Sequence, residues 1–376
     1  MKTKELINGL TQLGIETYVG VPDSTLQCFC DDLNQNMDKD HHIVTVNEGA
    51  AVGLGAGCYL ASGKPTCIYM QNSGIGNALN PIASLVNEKV YDIPMLFLVG
   101  YRGEPGVHDE PQHIFQGEIT LPLLELLDIE YVVLSKDTTN DELCTALEKA
   151  NDCLTNKKQF AFVIKKGTFE KEERFVFDNG YHLVRETAIQ EILKQIKQDD
   201  ILVSTTGKIS REVYEQCDQL FGHHDQVFLT VGSMGHASMI ALGIAKQRKE
   251  RVICIDGDGA ALMHMGSMAL IANETCSNLI HITLNNQAHE SVGGMPTDCQ
   301  ATRLADVAKA CGYAYVRHIE SLDDIHQVFE ELDEVAGPAY IEVMVSLSSR
   351  GDLGRPKESA VENKKSFMKF LGQEEQ

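Results

Sequence analysis

The amino-acid sequence predicts an α/β protein built from two doubly wound parallel-sheet domains. Three observations carry that expectation. The chain has 376 residues, more than one ordinary core and enough for two of about 150 to 200 residues each. Short β-branched runs alternate with longer helical patterns, the rhythm of a parallel sheet covered by helices. That rhythm occurs twice, with six candidate strands in each half.

In chain order, the first half offers strands at 17–21, 43–46, 66–70, 95–99, 131–134 and 160–164, and the second at 201–205, 227–231, 252–255, 279–284, 313–317 and 340–345. Between them, residues 165–186 are charged, contain Gly167 and Asp178-Asn179-Gly180, and lack a helical period, which reads as a linker with room for a hairpin. The expected division is a first domain at 1–170, a linker at 171–186 and a second domain at 187–376.

Composition narrows the function classes. With 43% hydrophobic and 23% charged residues, the chain reads as a soluble globular protein. Its net charge of −22 is spread evenly, 15 basic against 26 acidic residues in 1–185 and 17 against 28 in 186–376. Such a surface repels nucleic acid, and an anionic substrate would need a local basic pocket. The longest apolar runs, such as 93–99, fall far short of the roughly 20 residues a membrane span needs. The 11 cysteines are scattered, with only Cys28 and Cys30 close together, and no apolar signal core follows Met1, so reduced thiols and a cytoplasmic location are expected.

Four loops at predicted strand ends carry chemistry. The strand at 252–255 runs into Asp256-Gly257-Asp258-Gly259-Ala260, followed by a helical stretch from 262 to about 273, and the strand at 279–284 ends in Asn285-Asn286-Gln287-Ala288. Small residues there let backbone N–H groups approach phosphate, and the carboxylate and amide oxygens suit magnesium. Singly, each motif is more often a plain turn; on adjacent strands the coincidence favours a site. In the first half, Glu48 opens a helix of small residues that runs through Gly57. Its plainer reading is a helix-start glutamate favoured by the macrodipole, worth under about 1 kcal/mol. The remaining loops are Gly232-Ser233-Met234-Gly235 and Thr205-Thr206-Gly207-Lys208.

Gly257-Asp258-Gly259 with Asn285-Asn286, Asp258 and Asn286 being 28 positions apart, resembles the signature of thiamine-diphosphate enzymes. The resemblance implies that Asp258, Asn286 and the Ala288 carbonyl hold Mg2+, with the register leaving Asn285 as an alternative to Asn286. It implies that Gly257, Gly259, Ala260, Thr206, Gly207 and Lys208 line the diphosphate. The Gly232 carbonyl would accept from the cofactor's amino group, Met234 would wedge between its rings, and Glu48 would activate its pyrimidine.

No room remains for a middle domain. Residues 20–24, 71–77, 102–113, 206–212 and 350–356 resemble the compact phosphonopyruvate decarboxylase family. This implies a small anionic 2-keto acid substrate, 3-phosphonopyruvate, converted to phosphonoacetaldehyde and CO2 in phosphonate biosynthesis of the 2-aminoethylphosphonate type. It also implies a homodimer or homotetramer with active sites between subunits. The expected substrate contacts are Asp23, Asn72, Arg102, His108, His113, Arg350 and Arg355, with His113 handling the proton; their plainer reading is solvated polar loops. Alternatives are a sulfopyruvate decarboxylase, another thiamine-diphosphate-dependent 2-keto acid decarboxylase, or, remotely, a non-catalytic nucleotide-binding protein. Against the last stands the lack of Gly-x-Gly-x-x-Gly after the first strand.

Overall fold

All twelve expected strands form, and they build two six-stranded sheets. The computed structural model describes residues 1–171 and 173–373. The chain divides into two units, Met1–Val176 and Phe177–Gln376.

The first unit holds strands β1 (Tyr18–Gly20), β2 (His42–Val44), β3 (Thr66–Gln71), β4 (Met95–Gly100), β5 (Glu130–Leu134) and β6 (Gln159–Ile164). Its helices are α1 (Thr3–Gln12), α2 (Gln27–Asn36), α3 (Glu48–Ser62), α4 (Ile75–Pro81), α5 (Pro111–Leu126) and α6 (Asn140–Thr155). The strands are parallel in the order β2-β1-β3-β4-β6-β5.

The second unit holds β7 (Ile201–Ser204), β8 (Val227–Leu229), β9 (Val252–Gly257), β10 (Leu279–Asn285), a short antiparallel pair β11 (Ala288–His289) and β12 (Met295–Pro296), β13 (Tyr315–Ile319) and β14 (Ala339–Met344). Its helices are α7 (Arg185–Lys194), α8 (Lys208–Phe221), α9 (Ala237–Ala245), α10 (Asp258–Met263), α11 (Ser267–Glu274), α12 (Leu304–Cys311), α13 (Leu322–Leu332) and α14 (Ala360–Phe370). Its main sheet runs β8-β7-β9-β10-β14-β13, which is the order of the first sheet repeated strand for strand.

Burial explains the strand sequences. Every residue of the central strands β4, β9 and β10 is buried, as expected when helices cover both faces, so these runs are mainly apolar on both faces rather than alternating. The edge strands β5 and β13 are only partly covered and admit Glu130 and Arg317. The strand order reverses between β1 and β3 in the first sheet and between β7 and β9 in the second. Crevices at such points, at the carboxyl ends of the strands, are where open α/β sheets bind ligands.

Two expectations need correction. The helix expected from 262 to about 273 is two helices: α10 begins earlier, at Asp258, and ends at Met263, and α11 starts at Ser267. The break lies at His264, whose φ of −131° and ψ of 46° leave the helical region. Among the described residues of 165–184 no hairpin forms, and α7 begins at Arg185. The segment bonds to its own unit at each end instead: Glu170 N donates to Met1 O at 3.0 Å, and Ser346 N to Leu183 O at 2.8 Å. No described helix is long and apolar enough to cross a membrane.

Candidate active site

In the second unit, the β7/β9 crevice is flanked by the Thr205–Lys208 and Gly257–Gly259 loops expected from the sequence. Asp258 is the first residue of α10 and is buried, its Oδ2 accepting from the Thr297 hydroxyl at 2.7 Å. Burial pushes its pKa up to about 7, against the opposing pull of Thr297 and nearby backbone N–H groups. A carboxyl group held this way gains from a cation that replaces its lost hydration. Thr297 had no signal in the sequence; it arrives beside Asp258 because the β11–β12 pair folds back, with Thr297 N donating to Gln287 O at 2.8 Å.

The two asparagines differ. Asn285 is used at both ends, Nδ2 donating to Glu342 at 2.8 Å and Oδ1 accepting from Gln287 N at 2.9 Å. Asn286 Oδ1 accepts only a longer contact, 3.1 Å, from Ala288 N, while its Nδ2 donates to Glu290 at 2.9 Å. Glu290 is gripped by Arg185 and by Lys208, the latter at 3.0 Å, and Arg185 makes a bidentate pair with buried Glu212 at 2.7 Å for both bonds. This network fixes which way the Asn286 amide faces. Lys208 also donates to Ser349 at 2.7 Å.

The loops expected to meet a cofactor are shaped for close approach. A Cβ on Gly259 would lie 3.2 Å from the His289 ring and 3.3 Å from the Met234 methyl, so Met234 lies over Gly259. Ser233 and Gly235 both take positive φ, 51° and 86°, which turns the Gly232-Gly235 loop sharply. Thr206 donates to Val231 O at 2.9 Å, tying the two loops together. Ser204, Thr205 and Thr230 present buried hydroxyls without a partner at the ends of β7 and β8. Orphaned hydroxyls, a glycine cradle and an all-oxygen donor set of Asp258, Asn286 and the Ala288 carbonyl fit a diphosphate with a hard divalent cation.

Deeper in the same sheet, Cys254, Asp256 and His281 bring a thiol, a carboxylate and an imidazole within 4.8 Å of one another, all buried. Asp256 accepts from Gly257 N at 2.9 Å and faces His281 at 3.3 Å, so it braces the turn that leads to Asp258.

In the first unit, Glu48 is the first residue of α3, whose N-terminus Asn47 caps by accepting from Ala50 N at 2.8 Å. Its carboxyl is 5% exposed and accepts from Asn77 at 2.8 Å. Burial raises its pKa, and the Asn77 bond only partly opposes this. Gly74 makes room for it: a Cβ there would fall 2.4 Å from Oε1.

The β1/β3 crevice gathers several expected substrate contacts. Asp23 is fully buried and accepts from Gln71 at 2.6 Å and Thr25 N at 2.8 Å, against a glycine, Gly100, that leaves it space. Asn72 bonds both backbone groups of Arg102, at 2.8 and 3.2 Å, and Thr120 at 2.8 Å. The Arg102 guanidinium grips Asp109 bidentately, at 2.8 and 2.5 Å, and reaches Ser24 at 3.0 Å. Burial disfavours the Asp109 carboxylate, but Arg102 and two backbone N–H groups outweigh it and hold its pKa well below the usual range. His113, on α5, has a buried Nδ1 without a partner, and burial together with Arg102 lowers its pKa. His108 stays exposed on the loop, outside these hydrogen bonds. In the second unit, Arg350 is committed to Glu186, Glu215 and Asp352, and Arg355 is exposed.

Comparison with known proteins follows the same division. Residues 2–126 match the family described as thiamine pyrophosphate enzyme, N-terminal TPP binding domain, and residues 215–343 the corresponding C-terminal TPP binding domain. The chain is 35% identical to phosphonopyruvate decarboxylase of Streptomyces viridochromogenes over 98% of this chain and 94% of that protein. It is 34% identical to phosphonopyruvate decarboxylase of Streptomyces hygroscopicus, again over 98% and 94%. Identity to sulfopyruvate decarboxylase of Methanosarcina acetivorans is 27%, over 91% and 90%. With this likeness along nearly its whole length, the chain belongs to the thiamine-diphosphate-dependent decarboxylases, in the phosphonopyruvate decarboxylase family.

Proposed function

We propose that the chain decarboxylates 3-phosphonopyruvate to phosphonoacetaldehyde and CO2, with Mg2+ and thiamine diphosphate, in phosphonate biosynthesis of the 2-aminoethylphosphonate type in the cytoplasm. The observation that carries the substrate is the margin between 35% identity to a phosphonopyruvate decarboxylase and 27% to a sulfopyruvate decarboxylase, each over at least 90% of both chains.

Asp258, Asn286 and the Ala288 carbonyl hold the metal, and the Arg185–Glu290 pair keeps the Asn286 oxygen presented to it. Gly257, Gly259, Ala260, Thr206 and Gly207 line the diphosphate, with Lys208 as the cation on that side. The Gly232 carbonyl would accept from the cofactor's amino group, and Met234, lying over Gly259, would pack between its rings. When bound, thiamine diphosphate supplies the electron sink for loss of CO2. Glu48, a carboxyl that burial inclines to keep its proton, shares that proton with the pyrimidine nitrogen. Asp23, Asn72, Arg102 and His113 contact the keto acid, and His113, held neutral by burial, passes the proton at the reacting carbon.

A homodimer or homotetramer with active sites between subunits is part of this reading. Its support is the uncharged outer face of α3 and α4, where Leu54, Leu60 and Leu79 are 38%, 72% and 40% exposed among open glycines.

Steady-state assays of purified protein with both keto acids, with and without Mg2+ and thiamine diphosphate, test the proposal. The expected result is a higher kcat/KM for phosphonopyruvate and loss of turnover when the metal is chelated. A higher value for sulfopyruvate favours the second reading, a sulfopyruvate decarboxylase, and leaves the cofactor assignment standing.

A further inference from the structure

Two imidazoles stand beside the cofactor loops of the second unit and have no part in the mechanism above. His264 occupies the break between α10 and α11, and its Nε2 is buried without a hydrogen-bond partner. Its ring packs against Gly235, where a Cβ would fall 2.6 Å from Cδ2, and lies 4.4 Å centroid to centroid from the ring of His236. His236 is exposed, and its Nδ1 lies 3.2 Å from both the Ser233 and Met234 carbonyl oxygens. Facing two carbonyl oxygens, that nitrogen donates. A buried nitrogen left unpaired beside a ligand loop calls for a ligand. Of the cations expected near the substrate, Arg102 already shares its charge with Asp109 and Arg350 with three carboxylates, which leaves the tetrahedral anion room for a further donor.

We propose that His264 Nε2, backed by His236, hydrogen-bonds the tetrahedral anion of the substrate and favours a hydrogen phosphonate over a sulfonate. The proposal rests on the phosphonopyruvate reading and adds the residue that enforces it. A phosphonate loses its second proton near neutrality, so the bound group can bring an O–H of its own; a sulfonate has only acceptor oxygens. Burial and the neighbouring His236 ring both lower the pKa of His264, so it meets the substrate as a neutral ring. Against a hydrogen phosphonate it accepts the P–O–H proton and forms a charge-assisted N–H···O bond without drawing a proton from solvent. Against a sulfonate it offers a neutral N–H, a bond roughly half as strong.

The test compares wild type, His264→Asn and His264→Gln as holoenzymes, measuring kcat/KM for both keto acids and the inhibition constants of 3-phosphonopropionate and 3-sulfopropionate. Calorimetric binding of thiamine diphosphate serves as a control. The expected result is a fall of about tenfold or more for the phosphonate members, a severalfold smaller fall for the sulfonate members, and unchanged cofactor affinity. If wild type prefers phosphonopyruvate and the phosphonate-to-sulfonate ratios stay unchanged in both variants, the role of His264 is overturned while the reading of function stands. If both classes fall equally and cofactor binding weakens, His264 is only structural and the proposal fails. If wild type prefers sulfopyruvate, the reading and the proposal fall together. Should the His264 variants not fold, His236→Phe on the exposed neighbour is expected to lower the same ratio, and an unchanged ratio overturns the pairing.

Discussion

Replacing Asp258 by Asn should stabilise the metal-free fold while removing the carboxylate proposed to bind the metal. The group's pKa is raised by burial from 3.8 to about 7. Below about pH 4 the folded and unfolded chains both keep the proton, and the residue costs nothing. As pH climbs from there through 7, the unfolded chain ionises freely and the folded one resists, so stability is lost with rising pH. At about 1.36 kcal/mol per pH unit, the full span is worth roughly 4 kcal/mol by pH 8. Asparagine carries no charge to desolvate, and the Thr297 hydroxyl can pair with either end of its amide. In chelator-treated protein at pH 8, the variant's second unit should melt about 10 °C above wild type, taking about 2–4 °C per kcal/mol for a unit of this size. At pH 5 the gap should shrink to under about 2 kcal/mol. Saturating Mg2+ and thiamine diphosphate should reverse the order, because only wild type gains from the ligands. Melting curves by circular dichroism at the two pH values read all three effects. Equal melting at pH 8, or a gap of the same size at pH 5, would refute the idea that desolvation of this carboxyl governs the stability of the metal-free protein.

Other perturbations follow from the same geometry. Glu48→Gln should bind cofactor and metal normally yet lose turnover by about 10²–10⁴-fold; single-turnover kinetics beside calorimetry separates the two, and near-normal turnover would remove Glu48 from the proton path. Arg185→Met leaves Glu212 buried without its partner, so a loss of about 3–5 kcal/mol in chemical denaturation is expected, together with weaker Mg2+-dependent cofactor binding as Asn286 loses its brace. Intact metal dependence in a folded Arg185 variant would count against the bracing role. Gly117→Ala places a Cβ 1.7 Å from the Gly103 carbonyl oxygen, so the loop that carries Arg102 must shift. A drop of several degrees in melting temperature is expected, with KM rising more than kcat falls, and an unchanged KM would detach this loop from the substrate.

The sheet framework was legible because central parallel strands are buried on both faces, leaving apolar runs such as 95–99 and 279–284 with little ambiguity. The loops proposed to hold metal and cofactor stood out for a related reason: glycine, aspartate and asparagine at strand ends are turn formers and also suit ligand binding, so one pattern suggests both. What stayed hidden depends on partners distant in sequence. Nothing local to Thr297 says that it will meet Asp258, 39 residues earlier. Arg350 reads as a free cation until Glu186 and Glu215, 164 and 135 residues away, are seen to consume its charge. The break at His264 is poorly marked, because the apolar spacing from Leu262 to Asn273 outweighs the one breaker, Gly266, beside it. In the structure the His264 ring packs on Gly235, a contact that nothing in the local sequence announces.

The repeated strand order has a consequence for the growing polypeptide. In each sheet the last strand made does not join an edge but slots inside, β6 between β4 and β5 and β14 between β10 and β13. A nascent chain that has passed residue 134 but not 159 therefore holds β4 and β5 with no strand between them. Their unpaired backbone faces the ribosome's surroundings until β6 emerges. Synthesis pauses inside α6 or α13 would prolong that exposure, so these two helices are where translation speed should matter most for recovery of folded protein.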